Sequence, residues 1–362
     1  MRRFTRTLVA AALTATIVAG TAGWASGDSQ RPVTGSPAGT AAWVAEGLPD
    51  PAHLTPHQVA SYLDGLGERE RRRLLREHPG VLGNLDGAPL ALRYAANART
   101  AQGRFEAGVR VLAYDPRGRG QAVFVLGDLA KAAHVAVIVP GSDTDADHLG
   151  PLLAKARALY EATGGSPVTS GAVTSRAAAG GEKAGDKRTG GKRTGDRPGG
   201  ETAVVAWAGY TTPVGVGLDA ATGTLAEAGA ARLVRFTEGL RAVGAAEPAL
   251  FCHSYGSVVC GLAARDVRAT DLVAIASPGM RADDAAGLGT DARVWAAKDP
   301  DDWIDRVPNV EFAGLGHGAD PASAAFGARP VPAADAHGHD GYFAPGTSSL
   351  RAFAAIAEGA AR

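Results

Sequence analysis

Ser254 lies in the run Ala249-Leu250-Phe251-Cys252-His253-Ser254-Tyr255-Gly256-Ser257. A short apolar strand pattern precedes it, and a helix with small residues on one face follows. That layout is a nucleophile elbow, where a strained strand-to-helix turn exposes a serine hydroxyl. The usual pattern is Gly-x-Ser-x-Gly; Gly256 supplies the second glycine and Cys252 stands at the first. Both positions need small side chains, because strand and helix approach closely, and cysteine is small. The bland alternative is an ordinary strand-to-helix turn. A serine becomes a nucleophile at neutral pH only if an imidazole takes its proton and a carboxylate orients that imidazole. His339, between Gly338 and Asp340-Gly341, is the preferred base, ahead of His337 and then His317. Asp302, followed by Trp303 and Ile304 as apolar anchors, is the preferred acid, ahead of Asp299; Asp301 and Asp305 share its loop. An unused aspartate there reads as a loop cap. Charge developing on a substrate oxygen needs backbone N–H donors. Tyr255, directly after the serine, and Ser142, in Pro140-Gly141-Ser142, are the expected donors. His337, His339 and Asp340 could instead ligate a metal, but no helical ligand spacing or third partner supports that. No metal or cofactor is expected.

Cys252 and Cys260 are the chain's two cysteines, and they flank Ser254. Cys252 lies ~6.6 Å down the strand at ~3.3 Å per residue. Cys260 lies ~7.5 Å into the helix at ~1.5 Å per residue. Similar depth on facing elements makes a disulfide across the elbow a candidate; two small buried thiols are the alternative.

The 362 residues suffice for one large α/β domain with extensions. Lys plus Arg and Asp plus Glu balance at 37 each, so no nucleic-acid footprint follows. Arg2, Arg3 and Arg6, an apolar run from Leu8 to Ala19, then Gly23 and Ala25, have the three-part layout of a signal peptide over residues 1–25. The apolar run is short for a membrane span of about 20 residues. Cleavage and export are therefore expected, with no stable membrane insertion afterwards, and an oxidising compartment for the cysteines.

The elements that must position these groups follow in order. Residues 26–50, rich in Gly, Pro, Ser and Thr, read as a flexible lead-in. Residues 51–103 read as a helical N-terminal extension. Thr55 caps a helix with Pro56 at its first position, a second helix covers Glu68 to Glu77, and a third covers Leu90 to Thr100. The basic run Arg69 to Arg73 reads as a solvated face. Residues 104–362 read as the main domain. Strand patterns at 109–114 and 121–126 around a turn form a hairpin. Continuous apolar runs at 134–139, 203–207, 271–276 and 294–297 read as strands buried on both faces. Helical patterns at 152–163, 224–243 and 347–360 separate or follow them. This alternation argues for a mostly parallel sheet covered on both faces. Residues 164–202 carry the near-repeat Asp186-Lys187-Arg188-Thr189-Gly190 and Gly191-Lys192-Arg193-Thr194-Gly195-Asp196, and read as a disordered surface insertion.

Several short runs together carry a family resemblance: Asn84-Leu85-Asp86-Gly87, Ala95-Ala96-Asn97-Ala98-Arg99, Val137-Ile138-Val139-Pro140-Gly141, Trp207-Ala208-Gly209-Tyr210, His253-Ser254-Tyr255-Gly256-Ser257, Ala276-Ser277-Pro278-Gly279, Asp302-Trp303-Ile304, Phe326-Gly327-Ala328-Arg329 and His339-Asp340-Gly341-Tyr342-Phe343. The chain resembles a secreted actinobacterial α/β-hydrolase family of uncharacterised function, from about residue 54 to the C-terminus apart from the insertion. The resemblance implies an α/β-hydrolase fold with Ser254, Asp302 and His339 as a triad. Cys252 and the insertion depart from the family pattern. The expected activity is a secreted serine hydrolase, lipase-like, acting on a small-molecule or lipid-like ester, less readily an amide. A non-catalytic binding protein on the same fold, or acyl transfer to a cell-envelope acceptor, are the alternatives. Nothing in the sequence sets the oligomeric state.

Overall fold

The computed structural model describes residues 30–105, 109–166, 201–312 and 314–361. The signal-peptide reading of residues 1–25 and the basic repeat of the insertion lie outside the described residues.

Alternating side chains along the apolar strands bury both faces of one eight-stranded sheet. In chain order its strands are β1 (Arg110–Asp115), β2 (Gln121–Leu126), β3 (His134–Val139), β4 (Thr202–Ala208), β5 (Pro248–His253), β6 (Asp271–Ile275), β7 (Arg293–Ala297) and β10 (Arg329–Val331). Their spatial order is β1-β2-β4-β3-β5-β6-β7-β10. β1 and β2 pair antiparallel, as do β2 and β4; from β4 to β10 every pairing is parallel. Parallel neighbours require crossovers, and helices supply them. Val135, Val137 and Val139 of β3 point to one face, with Leu233 and Phe236 of the helix Thr224–Ala242 and Val258 and Val259 of the helix Gly256–Ala263. Ala136 and Ile138 point to the other, with Leu152 and Leu159 of the helix Gly150–Ala162 and Phe353 of the helix Ser348–Ala357. The mostly parallel, doubly covered sheet expected from the sequence is the observed one.

The N-terminal helices form a separate cluster around Leu63, Leu74 and Leu82. The helices Pro56–Asp64, Glu68–Glu77 and Leu90–Thr100 lie where their patterns place them, and Thr55 closes a capping box with Gln58. Asn84 joins this unit to the sheet by acting as a short strand: its amide donates to the Tyr114 carbonyl at 2.7 Å, and its oxygen accepts the Tyr114 N–H at 3.1 Å. Those bonds cover part of the free edge of β1.

Residues 30–50 differ from the flexible lead-in expected of them. Thr40–Ala45 is helical, and Trp43 is buried, its indole N–H donating to the Pro49 carbonyl at 2.8 Å. Composition suggested looseness; one large aromatic side chain with a satisfied N–H outweighs it. Further upstream, the Gln30 amide donates to the Thr212 carbonyl and its oxygen accepts the Val214 N–H. β10 lies outside the strands read from the sequence; its Pro330 cannot donate to a ladder, and at the sheet edge it need not. A small hairpin, β8 (Glu311–Phe312) with β9 (Leu315–Gly316), stands apart from the main sheet.

Candidate active site

The loops that leave β3, β4, β5, β6 and β7 all emerge at the carboxyl edge of the parallel sheet, where ligands of open α/β sheets bind. Backbone strain gathers in the same place. Among the described residues, the non-glycine residues with positive φ are Asp143, Ser254, Ala276, Arg281 and His337. Asp143 follows β3, Ser254 follows β5, Ala276 and Arg281 follow β6, and His337 lies two residues before His339. Strain of this kind persists only where surrounding contacts over-determine it.

Ser254 has φ 55°, and its N–H donates to the Ile275 carbonyl at 2.8 Å. Its own carbonyl accepts the Ser257 N–H at 2.9 Å and the Ser257 hydroxyl at 2.6 Å. These bonds hold the strand-to-helix turn. Gly256 is required by space: a Cβ there would lie 2.4 Å from the Val139 carbonyl oxygen and 2.6 Å from that of Pro140. Cys252 and Cys260 are bridged by a disulfide with Cα atoms 6.4 Å apart, both fully buried. The cysteine at the first glycine position thus links the strand before Ser254 to the helix after it.

Ser254, His339 and Asp302 come together from three loops. His339 Nε2 is 2.9 Å from Ser254 Oγ, and His339 Nδ1 is 2.9 Å from Asp302 Oδ1. His339 is nearly buried and the Asp302 carboxylate fully so. Burial alone would raise the Asp302 pKa, but hydrogen bonds from His339, the Ile304 N–H and the Tyr342 hydroxyl outweigh it, and the net shift is downward. The carboxylate therefore stays ionised beside the imidazole. Trp303, next in the chain, lays its ring against His339 with centroids 4.4 Å apart.

The other aspartates do different work. Asp299 Oδ2 accepts the Gly338 N–H at 2.7 Å and so braces the loop carrying His339. Asp301 is exposed, and Asp305 pairs with Lys298 at 2.5 Å. His337 is exposed in the same loop. His317 is buried; its Nε2 donates to the Ala220 carbonyl at 2.7 Å, and it lies against the Tyr255 ring rather than Ser254.

Gly141 lies directly over the serine: a Cβ there would be 2.6 Å from Ser254 Cβ. The next residue is Ser142, half-buried, and Tyr255 follows Ser254 on the other side. Among the described residues, neither the Ser142 nor the Tyr255 N–H has a hydrogen-bond acceptor. The loop bearing Ser142 is held from the far side. Tyr210 donates to the Pro140 carbonyl at 2.7 Å, Thr212 Oγ1 donates to the Thr144 carbonyl at 2.8 Å, and Thr144 N–H donates back to Thr212 Oγ1 at 3.2 Å.

Sequence reasoning missed three contributors, Tyr342, Thr212 and His253, and gave Trp303 only as an apolar anchor of its loop, whereas Trp303 is 39% exposed and its ring lies on His339. The hydroxyl of Tyr342 donates to Asp302 Oδ2 at 2.7 Å, and burial raises its pKa so that it stays protonated. His253 Nε2 donates to the His339 carbonyl at 2.7 Å. Burial, then the nearby Lys155 charge, lower the His253 pKa to about 3, so the ring is neutral and only one nitrogen carries a proton. A buried tyrosine needs a hydroxyl partner, and Tyr342, three residues after His339, carried that signal. The others become visible only when loops distant in sequence meet.

A family model described as alpha/beta hydrolase matches residues 115–312. The chain belongs to this alpha/beta hydrolase family. The matched span includes Ser254 and Asp302 but ends before His339. Two uncharacterised proteins of Mycobacterium tuberculosis, one from strain CDC 1551 / Oshkosh and one from strain ATCC 25618 / H37Rv, are each 26% identical to this chain over 400 residues, covering 86% of it. The chain spans 57% of the length of these curated relatives. No solved structure matches it.

Proposed function

We propose that this hydrolase is a secreted serine esterase working through an acyl-enzyme on Ser254. The observation that carries the reading is the unbroken relay from Ser254 Oγ to His339 Nε2 at 2.9 Å and from His339 Nδ1 to Asp302 at 2.9 Å. Ser254 Oγ attacks the ester carbonyl carbon while His339 Nε2 takes its proton. The carbonyl oxygen becomes an oxyanion, and the Ser142 and Tyr255 N–H groups donate to it. Collapse of the tetrahedral adduct breaks the C–O bond, and the imidazolium returns the proton to the departing alcohol. Water, deprotonated by the same imidazole, then attacks the acyl-serine; the carboxylic acid leaves and Ser254 recovers its proton. Asp302 stays ionised throughout and stabilises the imidazolium.

Export is supported by the signal-peptide pattern of residues 1–25 and by the buried disulfide. No helix among the described residues is long and apolar enough to cross a membrane.

The test is steady-state hydrolysis of p-nitrophenyl esters by the wild type, Ser254→Ala and Asp302→Asn. Loss of about a thousandfold or more in kcat is expected for each variant. Wild-type turnover by Ser254→Ala would remove the proposal.

A further inference from the structure

Large apolar side chains that remain exposed among the described residues are not scattered over the surface. Among the described residues, Val214, Val216, Leu218, Trp303, Val310 and Leu315 are between 39% and 61% exposed, and only Val44 joins them from elsewhere. Val214, Val216 and Leu218 follow β4, two strands to one side of β5. Trp303, Val310 and Leu315 follow β7, two strands to the other side. At about 4.8 Å between strands, the two groups emerge ~10 Å to either side of Ser254, at the same edge of the sheet.

Both groups are tied to the site. The Gly215 N–H donates to Asp143 at 2.9 Å, and Asp143 is next to Ser142. Trp303 lies on His339. Leu315 also forms a backbone bridge with Thr222, in the segment after Leu218, and the Thr222 carbonyl accepts the Tyr255 hydroxyl at 2.9 Å. Nearby charges are paired, Arg281 with Glu311 and Lys298 with Asp305 and Asp320. Exposed apolar side chains gathered on the loops around a site point to binding of an apolar group.

Resting on the serine esterase reading, we infer that these segments form an apolar collar that selects esters with an extended, unbranched acyl chain of medium length or longer. Residues 214, 216 and 218 set the preference, and the short acyl esters that do not reach them are poor substrates.

The experiment compares p-nitrophenyl acetate with p-nitrophenyl octanoate, both below their micellar concentrations, for the wild type and for Val214→Ser/Val216→Ser/Leu218→Ser. All three positions are exposed, so the fold is retained. Wild-type kcat/KM for octanoate is expected to exceed that for acetate by about tenfold or more, because added methylenes in an apolar site each favour the transition state. The triple variant is expected to lose most of that preference while acetate hydrolysis stays within about twofold. Equal or better wild-type use of acetate, or an unchanged preference in the triple variant, would overturn the inference. A fluorophosphonate probe separates the two levels. Labelling at Ser254 with a flat chain-length profile sinks the collar alone; no labelling and no hydrolysis sinks the esterase reading and the collar with it.

Discussion

The hydroxyl of Tyr342 donates to Oδ2 of Asp302 over 2.7 Å, while the oxygen of the same hydroxyl accepts the Asp299 N–H over 2.8 Å. One buried side chain thereby joins the loop after β7 to the loop carrying His339, and holds the carboxylate that faces the imidazole. Tyr342→Phe is expected to lower kcat/KM for an activated ester by about tenfold, since a hydrogen bond to a charged group contributes roughly 1.5–3 kcal/mol. That bond lowers the Asp302 pKa, so its loss raises it, and the acid limb of the pH–rate profile should move to higher pH. A lower melting temperature with an unmoved acid limb would assign Tyr342 to packing alone.

Thr212 is expected to matter for kcat without touching substrate. Its hydroxyl exchanges two hydrogen bonds with the Thr144 backbone, two residues beyond Ser142. Thr212→Val keeps the shape and removes both bonds. Misplacing Ser142, the proposed oxyanion donor, should lower kcat by about tenfold with KM within about twofold. Thr212→Ser should restore most of the rate, and failure of that rescue would break the link between the hydroxyl and the loop.

The bridge between Cys252 and Cys260 gives a thiol count. Denatured protein should show no titratable thiol before reduction and two after it. A cross-link closing so short a loop contributes about 2–3 kcal/mol in the chain-entropy treatment. Cys252→Ala/Cys260→Ala should therefore shift the denaturant midpoint downward. An unchanged midpoint would mean that the elbow is held by its hydrogen bonds without the staple.

Acid should destabilise the fold through two buried imidazoles. Burial lowers the pKa of His253 to about 3 and of His317 to about 4, below their unfolded value of 6.5. Between those limits the unfolded chain binds more protons than the folded one, so stability falls as pH falls from about 6.5 toward 4. The slope is on the order of 1 kcal/mol per pH unit for each ring. Melting temperatures measured from pH 7 to pH 4 should decline steadily, and His317→Gln should flatten the decline. A melting temperature constant over that range would contradict the neutral, buried state of both rings.

The parts of this protein legible in its sequence are those governed by local pattern. β3 and β6 are continuous apolar runs, and the helix after Thr55 carries its own cap and proline, so each lies where its residues place it. The small residues around Ser254 likewise reported a close strand-to-helix approach, and Gly256 meets the Val139 and Pro140 carbonyls there. What stayed hidden depends on contacts between segments far apart in the chain. Gln30 and Thr212 meet across 182 residues, and His253 and His339 across 86. No spacing rule reports such a pair. Trp43 shows the reverse error: a loop-like composition around a single aromatic concealed a buried anchor.

The most direct measurement is labelling of the purified protein with a fluorophosphonate probe, followed by mass spectrometry of the labelled peptide, with Ser254→Ala and His339→Ala beside the wild type. Label on Ser254, abolished in Ser254→Ala and lost in His339→Ala while both variants keep the wild-type circular dichroism, is the expected result. A folded wild type that takes no label, or takes it at another serine, would contradict the assignment of Ser254 as the nucleophile.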